Sequence, residues 1–340
     1  MQTIEAQETQ QSLRRARRAK WASGLASGAC AIGFVLWARR QQLPSFPGTR
    51  QSIAALILAM AAYACATLST CERWTTLLRR IDRDLPRTEG YWSSVLGQLG
   101  NVCLPVRAGD AIRVGLVATA REKVTARSSV GVIVAERSLD AGCHTILLVA
   151  VCLGLFGPTI GGAAGRVPTV IAGLALLLVA AGAAFYIGRA ILARWPANGR
   201  VATFLAPVFA PVADLRRGSR KVILLSVGLW LSEAVGWWAA SRAVGLNLSP
   251  SQAACVFAIA AFALIAPIGF GAIGTLDAAI VFSVEAVGAP TAHVLGFVLL
   301  LRTVFLLPSA FIAIGLWWAR RLRSRDIRQA TNGAQEVVDT

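Results

Sequence analysis

Long apolar blocks alternate with short clusters of Arg and Lys along most of the chain. Ile53 to Thr70, Val167 to Ile187 and Val222 to Ser241 each come close to the ~20 residues a helix needs to cross hydrocarbon. Further apolar stretches run from Trp21 to Ala38, Ser129 to Phe156 and Thr291 to Trp318, giving about six spans. The first follows Arg14, Arg15, Arg17, Arg18 and Lys20, a start that resembles a signal peptide. Its apolar run continues past Cys30, so it reads as an uncleaved first span.

Two stretches do not fit plain spans. Tyr91 to Ala120 is moderately apolar but carries Asn101, Pro105, Arg107, Gly109, Asp110 and Arg113 near its middle. Charges at membrane depth cost at least ~2.5–3.5 kcal/mol each, and a broken backbone survives there only where protein or a cavity buries it. A helix pair turning around Pro105 is the economical solution. Ser251 to Val287 has the same grammar, with Pro267, Gly269, Gly271 and Gly274 ahead of Asp277. The reading is an all-α polytopic helix bundle with two re-entrant broken-helix segments, about 91–120 and 252–287. Broken segments in corresponding places of two halves point to an inverted repeat with a site at its interface. One integral domain over 21–319 lies between basic tails, 1–20 and 320–340.

Composition supports this class. The chain is 56% hydrophobic and 15% charged, with mean hydropathy +0.60, whereas soluble domains hold roughly 25% charged residues. The net charge of +17 raises nucleic acid as a partner. However, the Lys and Arg residues sit in short loops between apolar blocks, as the positive-inside rule describes, and nucleic acid is set aside. The loops 73–90, 121–127 and 189–221 and both termini hold most of them, which places both termini in the cytoplasm. Trp21, Trp37, Trp74, Trp237, Trp238, Trp317 and Trp318 fall near span ends, where amphipathic rings settle.

The charges inside the apolar stretches are the candidate chemistry. Glu136 and Asp140 share a helix face, and Arg137 is placed to pair with Asp140. Either they form a structural ion cluster, or they line a polar surface that turns Arg137 to an anionic headgroup. Arg107 and Arg113 flank Asp110 beside the Pro105 break, and their planar forks suit phosphate. The duller alternative is non-specific contact with lipid headgroups. Asp277 is positioned to face Arg302, the charge well inside the final span.

Other patterns carry less. Gly269, Gly271 and Gly274 match a dinucleotide-binding expression, but no strand precedes them. Asp82 and Asp84 form a D-x-D crowded by Arg80, Arg83 and Arg87, and read as a solvated loop. The seven Cys form no C-x-x-C pair, so they read as small buried hydrophobes. With two His, no zinc site can be assembled. No metal or cofactor is expected.

On Arg73-Trp74 with Leu77-Leu78, Asn101 with Pro105, Arg107, Gly109, Asp110 and Arg113, Glu136-Arg137 with Asp140, and Pro267 through Asp277, the chain resembles the lysylphosphatidylglycerol synthase transmembrane-region family. That family usually carries Glu where Asp110 and Asp277 stand. The resemblance implies a bacterial or archaeal plasma-membrane protein of flippase-like type, in some members fused to a soluble aminoacyl-transfer domain. About 20 residues follow Arg320, so synthesis of aminoacyl lipid by this chain alone is not expected.

The expected function is binding or translocation of a phospholipid or lipid-linked anion in the inner membrane. Arg107, Arg113 and Arg137 would meet the phosphate, balanced by Asp110, Glu136, Asp140 and Asp277. The rival readings are a membrane-embedded lipid or glycosyl transferase, and a non-catalytic partner of a lipid-modifying enzyme.

Overall fold

A computed structural model describes residues 36, 39, 48–104, 108–152, 206–208, 210–211, 220–263 and 275–338. The expected first and fourth spans, most of the 189–221 loop, and Pro105, Arg107, Pro267, Gly269, Gly271 and Gly274 lie outside them. The described elements are α1 (Arg50–Leu78), α2 (Arg87–Cys103), α3 (Ala108–Ala120), α4 (Ala126–Cys152), α5 (Arg220–Ala243), α6 (Pro250–Ala263), α7 (Thr275–Ala286), a 3-10 turn (Thr291–His293) and α8 (Val294–Val338). No strand occurs among the described residues.

Among the described residues, three stretches are long and apolar enough to cross a bilayer: α1, α5, and Thr291–Leu322. Their outer faces stay apolar although exposed, with Ile57 at 63%, Leu224 at 70% and Phe311 at 65%. Arg73, Arg113, Glu136 and Asp277 are meanwhile nearly fully buried. Apolar outside and charged inside inverts the pattern of a water-soluble domain, as hydrocarbon solvent requires.

Helices α1 and α5 form the central pair. Small residues let their backbones approach: Ala59, Ala62 and Ala66 on α1 and Gly236, Ala239, Ala240 and Ala243 on α5 are all buried. Arg73 meets Ser226 at one end, and Gly236 lies against Ala59 and Ala62 at the other. The two helices therefore run antiparallel. Thr49 caps α1 by accepting a hydrogen bond from the Ser52 amide at 3.2 Å, which satisfies one of the orphan donors of its first turn.

Both broken stretches fold as helical hairpins. In the first, α2 and α3 pack through Gly97, Gly100 and Gly109. A Cβ at Gly109 would sit 1.8 Å from the Gly97 carbonyl oxygen, so only glycine permits this approach. In the second, α6 and α7 lie side by side, and Gln252 Nε2 donates to the Val287 carbonyl at 3.2 Å where their open ends meet.

The principal helix contacts have a two-fold pattern. Exchanging α1 with α5, α2 with α6, α3 with α7 and α4 with α8 maps each of these contacts onto another. Thus α8 packs on α2 as α4 packs on α6, and α3 meets α4 as α7 meets α8. Because α1 and α5 are antiparallel, the exchange inverts one half relative to the other. This is the geometry of the expected inverted repeat.

Some side chains differ from their sequence expectation. Trp74 and Trp237 are buried rather than interfacial. Trp74 lies beneath Arg113, and Trp237 packs against Phe257, Phe297 and Phe305 at ring separations of 5.5–6.1 Å. Closeness to a helix end says nothing of which way a ring points, and both rings point inward. Cys65 and Cys103 are exposed, whereas Cys71 and Cys255 are buried as expected.

Gly109→Ala should destabilise the protein by about 1–3 kcal/mol through overpacking. Gly115→Ala, with nothing within 4 Å of its added methyl, should be neutral or slightly stabilising. Thermal unfolding in detergent compares the two directly.

Candidate functional site

The charges converge where α1, α3, α4 and α5 meet. Arg73, near the end of α1, is 2% exposed. Its guanidinium grips Asp140 with two donors, Nη1 to Oδ1 at 2.7 Å and Nη2 to Oδ2 at 3.2 Å. It also donates to Ser226 Oγ at 3.1 Å and, through Nε, to Glu136 Oε1 at 3.4 Å. The planar fork of Arg makes this bidentate grip possible.

Glu136 sits between two arginines. Its second oxygen accepts from Arg113 Nη2 at 2.7 Å. The Arg113 guanidinium lies 3.9 Å from the centre of the Trp74 ring, a favourable cation–π stacking. Trp74 is fixed in turn by donating Nε1 to Ser93 Oγ at 3.0 Å. Arg113 is thus buried and turned inward onto Glu136 and Trp74, and it is not held out toward a ligand.

Arg137 occupies the open side of the cluster with 42% of its side chain exposed. It bridges Asp110 at 3.2 Å and Asp140 at 3.6 Å. Asp110 also accepts from Asn101 Nδ2 at 3.1 Å. Asn101 Oδ1 and Arg113 Nε are buried with no hydrogen-bond partner among the described residues. The three arginines and the three carboxylates Asp110, Glu136 and Asp140 balance in charge.

A second pair stands apart in the other half. Arg302 on α8 donates Nη2 to Asp277 at 2.7 Å, and Asp277 is buried. Asp110 and Asp277 are each third in their helices, α3 and α7. Arg137 follows the start of α4 at Ala126 by as many residues as Arg302 follows Thr291. Hairpin, acidic third residue and arginine on the next helix therefore recur in both halves.

Of the residues expected from sequence, Asn101, Asp110, Arg113, Glu136, Arg137 and Asp140 come together, and Asp277 with Arg302 forms the counterpart pair. Arg107 lies outside the described residues. Arg73 enters the sequence reading through the Arg73-Trp74 motif and not as a candidate site residue. What distinguishes it is its place one residue before a buried Trp, and the sequence does not show that burial.

The resulting chain of features runs in order: a central helix ending in Arg-Trp, a glycine-packed hairpin with Asp at its break, and a helix bearing Glu-Arg-x-x-Asp. The family model described as "Lysylphosphatidylglycerol synthase TM region" matches residues 21–313. The chain belongs to that family. Membership makes it a lipid-associated membrane protein, and the matched residues include both hairpins and both Asp–Arg pairs. Neither a curated relative nor a solved structure matches the chain at a significant level.

Outside the membrane helices, Asp82 is buried instead of solvated. Arg121 holds it at 3.0 Å, folding the α3–α4 loop over the α1–α2 loop. Lys123 bonds Asp84 at 3.0 Å; this holds the Asp84 carboxyl below its usual range and the Lys123 ammonium above its own. No group of three His, Cys, Asp or Glu side chains suited to a metal occurs among the described residues.

Glu136→Ala leaves two buried guanidinium groups short of an anion, and breaking a buried pair costs about 3–5 kcal/mol. Arg137→Ala, at an exposed ion pair, should cost less than about 1 kcal/mol. Detergent unfolding of the two variants should show this gap.

Proposed function

We propose that the chain binds and flips a phospholipid or lipid-linked anion across the inner membrane. Supporting the reading above all is the repetition of an Asp–Arg pair at the hairpin break of each inverted half. Transporters built from inverted repeats place their substrate sites at such breaks, between the halves. Each pair offers a guanidinium that a phosphate oxygen can engage once the carboxylate releases it. Arg137 is the better exposed of the two.

The buried set of Arg73, Arg113, Glu136 and Asp140 has a different role. It fixes α1, α3, α4 and α5 against one another and holds the Asp110–Arg137 pair in place. The basic loops flank the open end of the α2–α3 hairpin, so under the positive-inside rule this hairpin would enter from the cytoplasmic side and carry Asp110–Arg137 inward at its break. Asp277–Arg302 then serves the opposite leaflet. Opening one pair while the other stays shut would give alternating access without a continuous pore.

The test is reconstitution in liposomes carrying fluorescent phosphatidylglycerol or phosphatidylethanolamine, with a membrane-impermeant quencher reading the outer leaflet. Wild-type protein should equilibrate an anionic lipid between leaflets. Arg137→Ala and Arg302→Ala should each slow this at least tenfold, which corresponds to about 1.4 kcal/mol of barrier, while Gly115→Ala keeps the wild-type rate. An unchanged leaflet distribution with every lipid class would sink the proposal.

A further inference from the structure

One ionisable group inside a span takes no part in either Asp–Arg pair. Glu233 lies on α5, seven residues beyond Ser226, or about 10 Å farther along the helix at ~1.5 Å per residue. It is half-buried and has no hydrogen bond or ion pair among the described residues. The antiparallel register of α1 and α5, set by Arg73 on Ser226 and by Ala59 and Ala62 on Gly236, brings Tyr63 opposite Glu233. Tyr63 and Glu233 also stand at the same position counted from their helix starts, Arg50 and Arg220. The carboxyl therefore sits where the pseudo-two-fold axis crosses the central helix pair, between the two hairpins.

The neighbours of Glu233 come from every packed element. Helix α1 presents Tyr63 and, farther along, Arg73, and α4 presents Asp140; all three lie within electrostatic reach. Helix α4 also brings His144, whose ring meets Trp230 of α5 edge-to-face at 5.1 Å. On α6 the titratable side chain is Cys255, which is buried. On α8 the charge nearest the middle of the span is Arg302, held by Asp277, with His293, Arg320 and Arg321 toward the ends of that span, while Phe305 packs on Tyr63 at 5.0 Å. Arg73 is taken by Asp140 and Glu136, so among the described residues no cation is ion-paired with Glu233. A carboxyl inside a span, away from a fixed counter-ion, has the character of a proton relay.

We propose that Glu233 is the proton-binding group that couples lipid movement to a proton gradient. The carboxylate takes a proton from one side as the acid forms, and releases it to the other side when the inverted halves exchange access. This inference rests on the translocation reading above, and its test separates the two. In infrared difference spectra of the reconstituted protein, a protonated-carboxyl band should titrate with pH and vanish in Glu233→Gln. Tyr63→Phe, which keeps the carboxyl, should move the titration midpoint and serves if Glu233→Gln does not fold. In liposomes an imposed pH gradient should change the wild-type rate for fluorescent phosphatidylglycerol several-fold and leave Glu233→Gln unaffected. Absence of a Glu233-dependent band overturns the inference. Lipid movement indifferent to the gradient overturns it too, with translocation left standing. If wild-type protein moves no lipid, translocation falls, and the coupling with it.

Discussion

The arrangement depends on the cost of placing ionised side chains where water cannot reach them. Arg73, Arg113, Glu136 and Asp140 sit among helices whose outer faces are Ile, Leu and Phe. Taken singly, each would carry a desolvation penalty of several kcal/mol. Together they satisfy one another: two arginines share Glu136, and Arg73 clasps Asp140 with both terminal nitrogens. That mutual satisfaction fixes the angles among four helices more narrowly than apolar contact could, because guanidinium–carboxylate geometry tolerates little displacement.

Close backbone approach makes the cluster possible. Gly97, Gly100 and Gly109 bring α2 and α3 near enough for Asn101 to reach Asp110 and for Arg113 to pass beside Gly97 toward Glu136. On the central pair, alanines and Gly236 do the same for α1 and α5, which puts Ser226 within reach of Arg73. Small residues are thus the means by which long polar side chains meet inside the bundle. The bulky rings lie where space remains, Trp74 under Arg113 and Trp237 in the aromatic core.

Repetition with inversion gives the fold a functional logic. An Asp at the break of each hairpin faces an Arg on the following helix, once in each half. The pairs differ in exposure: Arg137 is the more open and Arg302 the more enclosed. Under the translocation we propose, this inequality would let the two pairs act as unlike gates.

The all-α class, the two broken segments and the residues that cluster around Glu136 were legible in the sequence, because charges and prolines within apolar runs conflict with a plain span wherever they occur. Asp277 facing Arg302 was legible for the same reason, since each was an isolated charge at membrane depth. The roles of the arginines were not. Sequence offered Arg113 and Arg137 as equals, yet one is buried against Glu136 and Trp74 while the other stays open, and the Arg73-Trp74 motif gave no sign that both side chains would be buried. Nor did any residue-level repeat show, because the halves share contacts and the register of a few charges, with little common sequence between. Period and polarity are local properties, so the chain alone determined the all-α membrane class and which residues inside apolar stretches would need partners. Partner choice depends on helices far apart in sequence meeting at a given angle and depth, and only tertiary packing decided that.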